Sequence, residues 1–89
     1  MLIFVIDDEP KALHLLRNAV RAAAPQAELL EYPGGLAALE AIQKDGRKPD
    51  VIFADIIMPE LDGLELAVRL RTAAPEAKLI FVTGWVTVT

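Results

Sequence analysis

The apolar residues of this chain fall into two kinds of pattern, short continuous runs and regularly spaced stripes. Three nearly unbroken apolar segments, rich in β-branched residues, lie at residues 2–6, 51–54 and 78–82. Such runs are typical of strands that are buried on both faces of a parallel sheet. A fourth segment, Glu28–Tyr32, is more polar and predicts an edge strand.

Between these segments, apolar residues recur at spacings of three and four, which predicts amphipathic helices. The first helix is expected over roughly residues 9–24, with Pro10 in its first turn. The second follows the Pro-Gly-Gly segment at 33–35. Asp62 can cap the third, with Glu65 three positions further on, as in a capping box. The predicted buried faces consist of Leu13, Leu16 and Val20, then Leu36, Leu39 and Ile42, then Leu66, Ala67 and Leu70.

The predicted elements alternate as β-α-β-α-β-α-β, which indicates an α/β layer fold with right-handed crossovers. A chain of 89 residues forms one domain at most. We expect no internal repeat, linker or low-complexity stretch. Residues 84–89 have a strand-like composition with no helix before them, and this breaks the alternation.

Composition and charge narrow the class of protein. The chain is 54% hydrophobic and 25% charged, which is typical of a globular domain. Its formal net charge is −4 and its Lys and Arg residues are scattered, which argues against direct nucleic-acid binding. It contains no cysteine, so disulfides and thiolate metal sites are excluded. The apolar segment at residues 2–6 is too short for a signal peptide or a membrane span, so we expect a cytoplasmic protein.

Three carboxylates directly follow buried strands. Asp7 and Asp8 come after the first strand, and Asp55 comes after the second buried one. Ligands of open α/β sheets bind outside the carboxyl ends of the strands, so these acids are expected in one crevice. Crowded carboxylates repel, and Mg²⁺ relieves that repulsion. Asp8 or Glu9 can alternatively cap the first helix, but a third acid at a strand end favours a metal or phosphate site.

Four segments of the chain together resemble the receiver domain of bacterial response regulators. They are residues 5–10 (Val-Ile-Asp-Asp-Glu-Pro), 50–59, the pair Asp62-Gly63, and 81–84 (Phe-Val-Thr-Gly). The resemblance implies a flavodoxin-like doubly wound parallel sheet, truncated here to four strands in the order 2-1-3-4 with three helices. We expect the first and third helices on one face and the second on the other. Residues 1–84 would form the receiver domain without its last α-β-α portion, followed by a strand-like tail at 85–89.

The resemblance also implies a role for individual residues. Asp55 would be the phosphoacceptor, attacking a phosphohistidine on a sensor histidine kinase or phosphotransfer protein. Asp8 and Asp55 would bind Mg²⁺ directly, Asp7 mainly through water, and the Ile57 backbone carbonyl would be the third protein ligand. Thr83 would be the switch hydroxyl that bonds the phosphoryl group. The chain would then be a signalling module without catalytic residues of its own, and not an enzyme.

Two residues of the receiver pattern have no counterpart before Thr89: a Lys at the end of a fifth strand and an aromatic residue on that strand. Lys78 begins a strand and therefore lies at the wrong end of the sheet. One alternative is thus a truncated fragment that has no switching ability and persists as a self-associated oligomer. Another is a Mg²⁺-dependent phosphatase-like domain, although residues 55–57 (Asp-Ile-Ile) lack the Asp-x-Asp pattern of such enzymes.

The apolar fourth strand also predicts self-association. Without a fifth strand it becomes an exposed edge, and such edges recruit other strands. Residues 85–89 alternate Val with Thr and favour strand geometry. We therefore expect a homodimer in which this tail extends the fourth strand and pairs with the same segment of a second copy.

Overall fold

The computed structural model describes residues 1–55, 63–83 and 86–87 of the chain. No helix within these ranges has the length and hydropathy that a membrane span requires. The helices are α1 (Pro10–Ala23), α2 (Gly35–Gln43) and α3 (Gly63–Ala73). The strands are β1 (Leu2–Ile6), β2 (Glu28–Tyr32), β3 (Val51–Asp55), β4 (Lys78–Thr83) and β5 (Val86–Thr87).

The strands form one sheet in the order β2-β1-β3-β4-β5. The first four are parallel, which confirms the predicted order 2-1-3-4. The prediction that the tail extends the fourth strand is wrong, because Val86 and Thr87 pair antiparallel with Thr83 and Val82. The chain therefore reverses its direction between Thr83 and Val86.

The helices lie on the two faces of the sheet, but not in the predicted arrangement. Leu13, Leu16 and Val20 of α1 pack on one face. Residues of α2 and α3, among them Leu39 and Leu66, pack together on the other face. The expectation that α1 and α3 share a face is therefore wrong. The connection from β1 to β2 runs in one direction across the sheet, whereas the connections from β2 to β3 and from β3 to β4 run in the opposite direction. Right-handed crossovers therefore place α2 and α3 together, opposite α1.

The buried face of α2 is rotated from the predicted one. Ala38, Leu39 and Ala41 are buried, whereas Leu36 is 47% exposed. Gly35, at the start of α2, lies so close to α3 that a Cβ atom added there would be 2.5 Å from Leu66 Cδ1. Small residues thus let α2 approach α3 and the sheet closely, which the leucine spacing alone does not reveal.

The turns after α1 and α3 are built alike. Residues 21–30 and 71–80 are identical at six of ten positions, so the expectation of no internal repeat is wrong at this short scale. Arg21 Nη1 donates to the carbonyl oxygens of Pro25 and Ala27 at 3.1 and 2.6 Å. Arg71, the equivalent arginine of the second turn, makes the corresponding two bonds at 3.1 and 2.9 Å. Each arginine thus ties the end of its helix to the start of the next strand.

Candidate metal centre

The predicted acid cluster lies at the carboxyl end of two adjacent central strands. Asp7 directly follows β1, and Asp55 is the last residue of β3. Because Ile6 pairs with Ala54, the two carboxylates leave the sheet side by side. Asp7, Asp8 and Asp55 each offer one carboxylate oxygen, and these three atoms lie within 4.8 Å of one another. The structure therefore brings together the three acids that the sequence singled out.

The three acids differ in their exposure to solvent. Asp7 is 3% exposed, and it is the one buried polar or charged residue in the described part of the chain. Asp55 is half-buried, and Asp8 is exposed. The cluster is therefore closed toward the sheet and open to solvent on the side of Asp8.

The pKa of Asp7 reflects this position. Burial is the largest influence and raises the pKa of the Asp7 carboxyl above its ordinary value of 3.8. A hydrogen bond from the Glu9 N–H opposes this, because it stabilises the ionised form. The nearby negative charges of Asp55 and Asp8 raise the pKa further. Asp7 thus carries its charge at a free-energy cost that a cation in the cluster would reduce.

The turn from β1 into α1 holds Asp7 in place. The Asp7 N–H donates to the Tyr32 carbonyl oxygen at 3.2 Å, and Asp7 Oδ1 accepts from the Glu9 N–H at 3.0 Å. The sequence left open whether Asp8 or Glu9 caps α1. The structure assigns this role to Glu9, whose carboxylate accepts from the N–H groups of Lys11 and Ala12. No sequence pattern predicted the hydrogen bonds that Asp7 makes with the backbone of Tyr32 and of Glu9.

The donor set fits a small hard cation. Mg²⁺ binds oxygen ligands at about 2.1 Å, so opposite ligands of an octahedral ion are about 4.2 Å apart. Three carboxylate oxygens within 4.8 Å of one another are therefore close enough together to share one Mg²⁺ ion, with water completing its shell.

Of the remaining predicted site residues, Thr83 lies within the described part of the chain and Ile57 does not. Ile57 and the predicted helix cap Asp62 lie outside the described residues. Thr83 is the last residue of β4 and follows Val82, which pairs with Asp55. Its backbone is therefore at the same edge of the sheet as the acids. Lys78 begins β4 and therefore lies at the amino ends of the parallel strands, away from the acids, as the sequence predicted.

The chain is similar in sequence to known response regulators. The family model of the response regulator receiver domain matches residues 3–89. An uncharacterised response regulatory protein of Vibrio cholerae is 36% identical over 80 residues, covering 89% of this chain and 30% of that protein. The response regulator MprA of Mycobacterium avium is 32% identical over 84 residues, covering 94% of this chain and 35% of MprA. The chain thus spans about a third of the length of these curated relatives.

Solved structures show the same architecture. The response regulator TrrA from Thermotoga maritima, in complex with Mg²⁺ and BeF, superimposes with a TM-score of 0.74 at 30% identity. That match covers 91% of this chain and 69% of TrrA. A structure of the histidine kinase ThkA in complex with TrrA gives a TM-score of 0.77 at 31% identity. This second match covers 94% of the chain and 69% of the matched one.

Proposed function

Because the chain belongs to the family of response regulator receiver domains, we propose that it is a phosphoacceptor module of a two-component signalling system with Asp55 as its phosphoacceptor. The observation that carries this proposal is the cluster of Asp7, Asp8 and Asp55 carboxylate oxygens within 4.8 Å of one another. Asp55 is the member that ends a central strand and is half-buried, so its carboxylate is both fixed and accessible.

In the proposed reaction, an Asp55 carboxylate oxygen attacks the phosphorus of a phosphohistidine. A bond forms between that oxygen and phosphorus, the phosphorus–nitrogen bond breaks, and the imidazole leaves with the electron pair. Bound Mg²⁺ would neutralise charge on the transferred group. Asp8 and Asp55 would hold the ion directly, Asp7 would hold it mainly through water, and the Ile57 carbonyl would supply the third protein ligand. Thr83 would donate its hydroxyl hydrogen bond to the phosphoryl oxygen.

The phosphoryl donor in this proposal is a sensor histidine kinase or a phosphotransfer protein. The support is the likeness to TrrA, whose structure in complex with the histidine kinase ThkA is known. A cytoplasmic location is part of the same proposal.

We also propose that two copies of the chain pair through β4. In the described part of the chain, β5 pairs with only Val82 and Thr83. Among the residues that the structure describes, no other strand pairs with the outer edge of residues 78–81, and an edge of this kind can accept another strand. Leu79 and Phe81 also line an open cavity of about 480 Å³ beside α3. An edge with an apolar flank of this kind favours pairing with a second copy across a two-fold axis.

Acetyl phosphate with MgCl₂ tests the phosphoacceptor proposal. Intact-mass spectrometry should show addition of one phosphoryl group to the wild type and none to Asp55→Asn. Asp45→Asn, which changes an exposed acid in the turn after α2, is the matched control and should be labelled like the wild type. Labelling of Asp55→Asn, or equal labelling in the presence of EDTA, would contradict the proposal. Repeated hydrolysis of a phosphomonoester without labelling would indicate the phosphatase-like alternative instead.

A further inference from the structure

Glu9 contacts the acid cluster and the first helix at the same time. Its N–H donates to Asp7 Oδ1 at 3.0 Å. Its two carboxylate oxygens accept from the N–H groups of Lys11 and Ala12 at 3.3 and 3.1 Å. Its carbonyl oxygen accepts from the Leu13 N–H at 2.9 Å. Glu9 thus fixes the first turn of α1 through its side chain and the orientation of Asp7 through its backbone.

We propose that Glu9 is a positioning residue for the metal site, acting through its cap on α1 and not as a ligand of the ion. The inference rests on the proposed function, because it concerns how tightly the cluster of Asp7, Asp8 and Asp55 binds Mg²⁺. Glu9 has extended backbone angles of φ −98° and ψ 117°, which are those of a residue that precedes a helix. The cap holds this geometry, and with it the direction in which the Glu9 N–H points at Asp7.

The placement of the carboxylate argues against direct coordination. Both oxygens of Glu9 already accept backbone hydrogen bonds at the amino end of α1. The partial positive charge at a helix amino end favours an anionic side chain there. Turning the same carboxylate toward an ion in the cluster would draw it away from the Lys11 and Ala12 N–H groups and leave the first turn of α1 without its cap.

Four variants separate capping from charge and coordination. Glu9→Asp keeps a charge and caps well, Glu9→Asn caps well without charge, and Glu9→Ala does neither. Glu9→Gln keeps the length of the side chain without its charge. We expect Glu9→Ala to weaken binding of MgCl₂ about tenfold, at the low end of the effect of outer-shell partners on metal affinity. Glu9→Asn should bind Mg²⁺ several-fold more tightly than Glu9→Ala, although neither side chain is charged.

Isothermal titration with MgCl₂ measures these affinities, and Val20→Ala is the control for lost stability. Val20 is buried in the last turns of α1, at the far end of the helix from the cluster. Its truncation should lower stability and leave the affinity for Mg²⁺ within about twofold of the wild type. A Val20→Ala protein that loses affinity as much as Glu9→Ala would show that global stability, and not positioning, sets the affinity.

Amide hydrogen exchange at residue 9 gives an independent readout without metal. After correction for intrinsic exchange rates, this amide should exchange several-fold faster in Glu9→Ala than in Glu9→Asn. Equal exchange rates in the two variants would overturn the inference. It would also be overturned if the affinity for Mg²⁺ followed charge, so that Glu9→Asn and Glu9→Gln bound the ion as weakly as Glu9→Ala. If the wild type binds no Mg²⁺, the proposed function fails, and the exchange comparison still decides whether Glu9 positions Asp7.

Discussion

Replacing Gly35 with alanine tests how tightly α2 packs against α3. The added Cβ atom would lie 2.5 Å from Leu66 Cδ1 and 3.1 Å from Leu66 Cδ2. Carbon atoms in favourable contact are about 3.5–4.0 Å apart, so Leu66 must move by about 1 Å. Leu66 is fully buried in the core that α2 and α3 share, so its side chain can move only against other buried side chains. Alanine at this position is therefore expected to strain the core.

Two opposing effects set how much Gly35→Ala lowers the free energy of unfolding. Inserting a methyl group into a packed core costs about 1–3 kcal/mol. Alanine favours the helix and restricts the unfolded chain relative to glycine, which returns up to about 1 kcal/mol. We therefore expect Gly35→Ala to lower the free energy of unfolding by about 1 kcal/mol or slightly more. Such a loss is a large fraction of the stability of a chain of 89 residues.

Urea denaturation followed by far-UV circular dichroism measures this loss, and a double-mutant cycle assigns its cause. Leu66→Ala alone should cost about 2–5 kcal/mol, and the methyl group of Gly35→Ala should partly fill the resulting cavity. The two changes together should therefore cost about 1 kcal/mol less than their sum. Gly46→Ala is the control, since Gly46 has φ +70° and open space around its Cβ position, so its effect should add to that of Leu66→Ala. A Gly35→Ala protein more stable than the wild type, or an additive cycle, would refute the reasoning.

Three further predictions concern the acid cluster and the edge of the sheet. Burial raises the pKa of Asp7 in the folded state above 3.8, so metal-free stability should fall as pH rises from about 3.8 through the folded pKa. Asp7→Asn should remove this fall in pH-dependent melts, and an unchanged profile would contradict the assignment. Asp55→Asn should raise metal-free stability by about 1 kcal/mol by removing a like charge, and should weaken the rise in melting temperature that Mg²⁺ gives the wild type. Ile80→Lys, on the open part of β4, should yield monomers in sedimentation at micromolar concentration, because a lysine on an edge strand blocks strand pairing; a wild type that is already monomeric there would refute the proposed dimer.

Much of the architecture is predictable because the strands are marked by composition. Continuous apolar runs end in acids at Asp7 and Asp55, and this places both carboxylates at one edge of a parallel sheet. The faces on which the helices lie depend instead on the direction of each step across the sheet. That direction follows from the strand order combined with right-handed crossovers, and not from the helix pattern itself.

The failures concern contacts whose sequence signal is weak or ambiguous. In α2, alanines occupy the buried side, so a stripe of leucines was an unreliable guide to its orientation. Glu9 and Asp8 both have side chains able to cap a helix, and the choice depends on where the backbone turns after β1. The antiparallel pairing of β5 with β4 depends on a reversal of the chain that strand composition alone does not indicate. The cation ligand predicted at the Ile57 carbonyl lies outside the described residues and stays a prediction.

The two arginine turns have a consequence for how the chain folds. Each turn closes contacts over only four and six residues, as Arg21 does with Pro25 and Ala27. Contacts this local lose little chain entropy when they form, so they can precede the distant pairing of β1 with β3. Along the chain, the two turns come directly before β2 and β4, the strands that flank the central pair of β1 and β3. We therefore predict that Arg21→Ala and Arg71→Ala slow refolding more than they speed unfolding in stopped-flow measurements, whereas an effect on unfolding alone would place both turns late in the folding path.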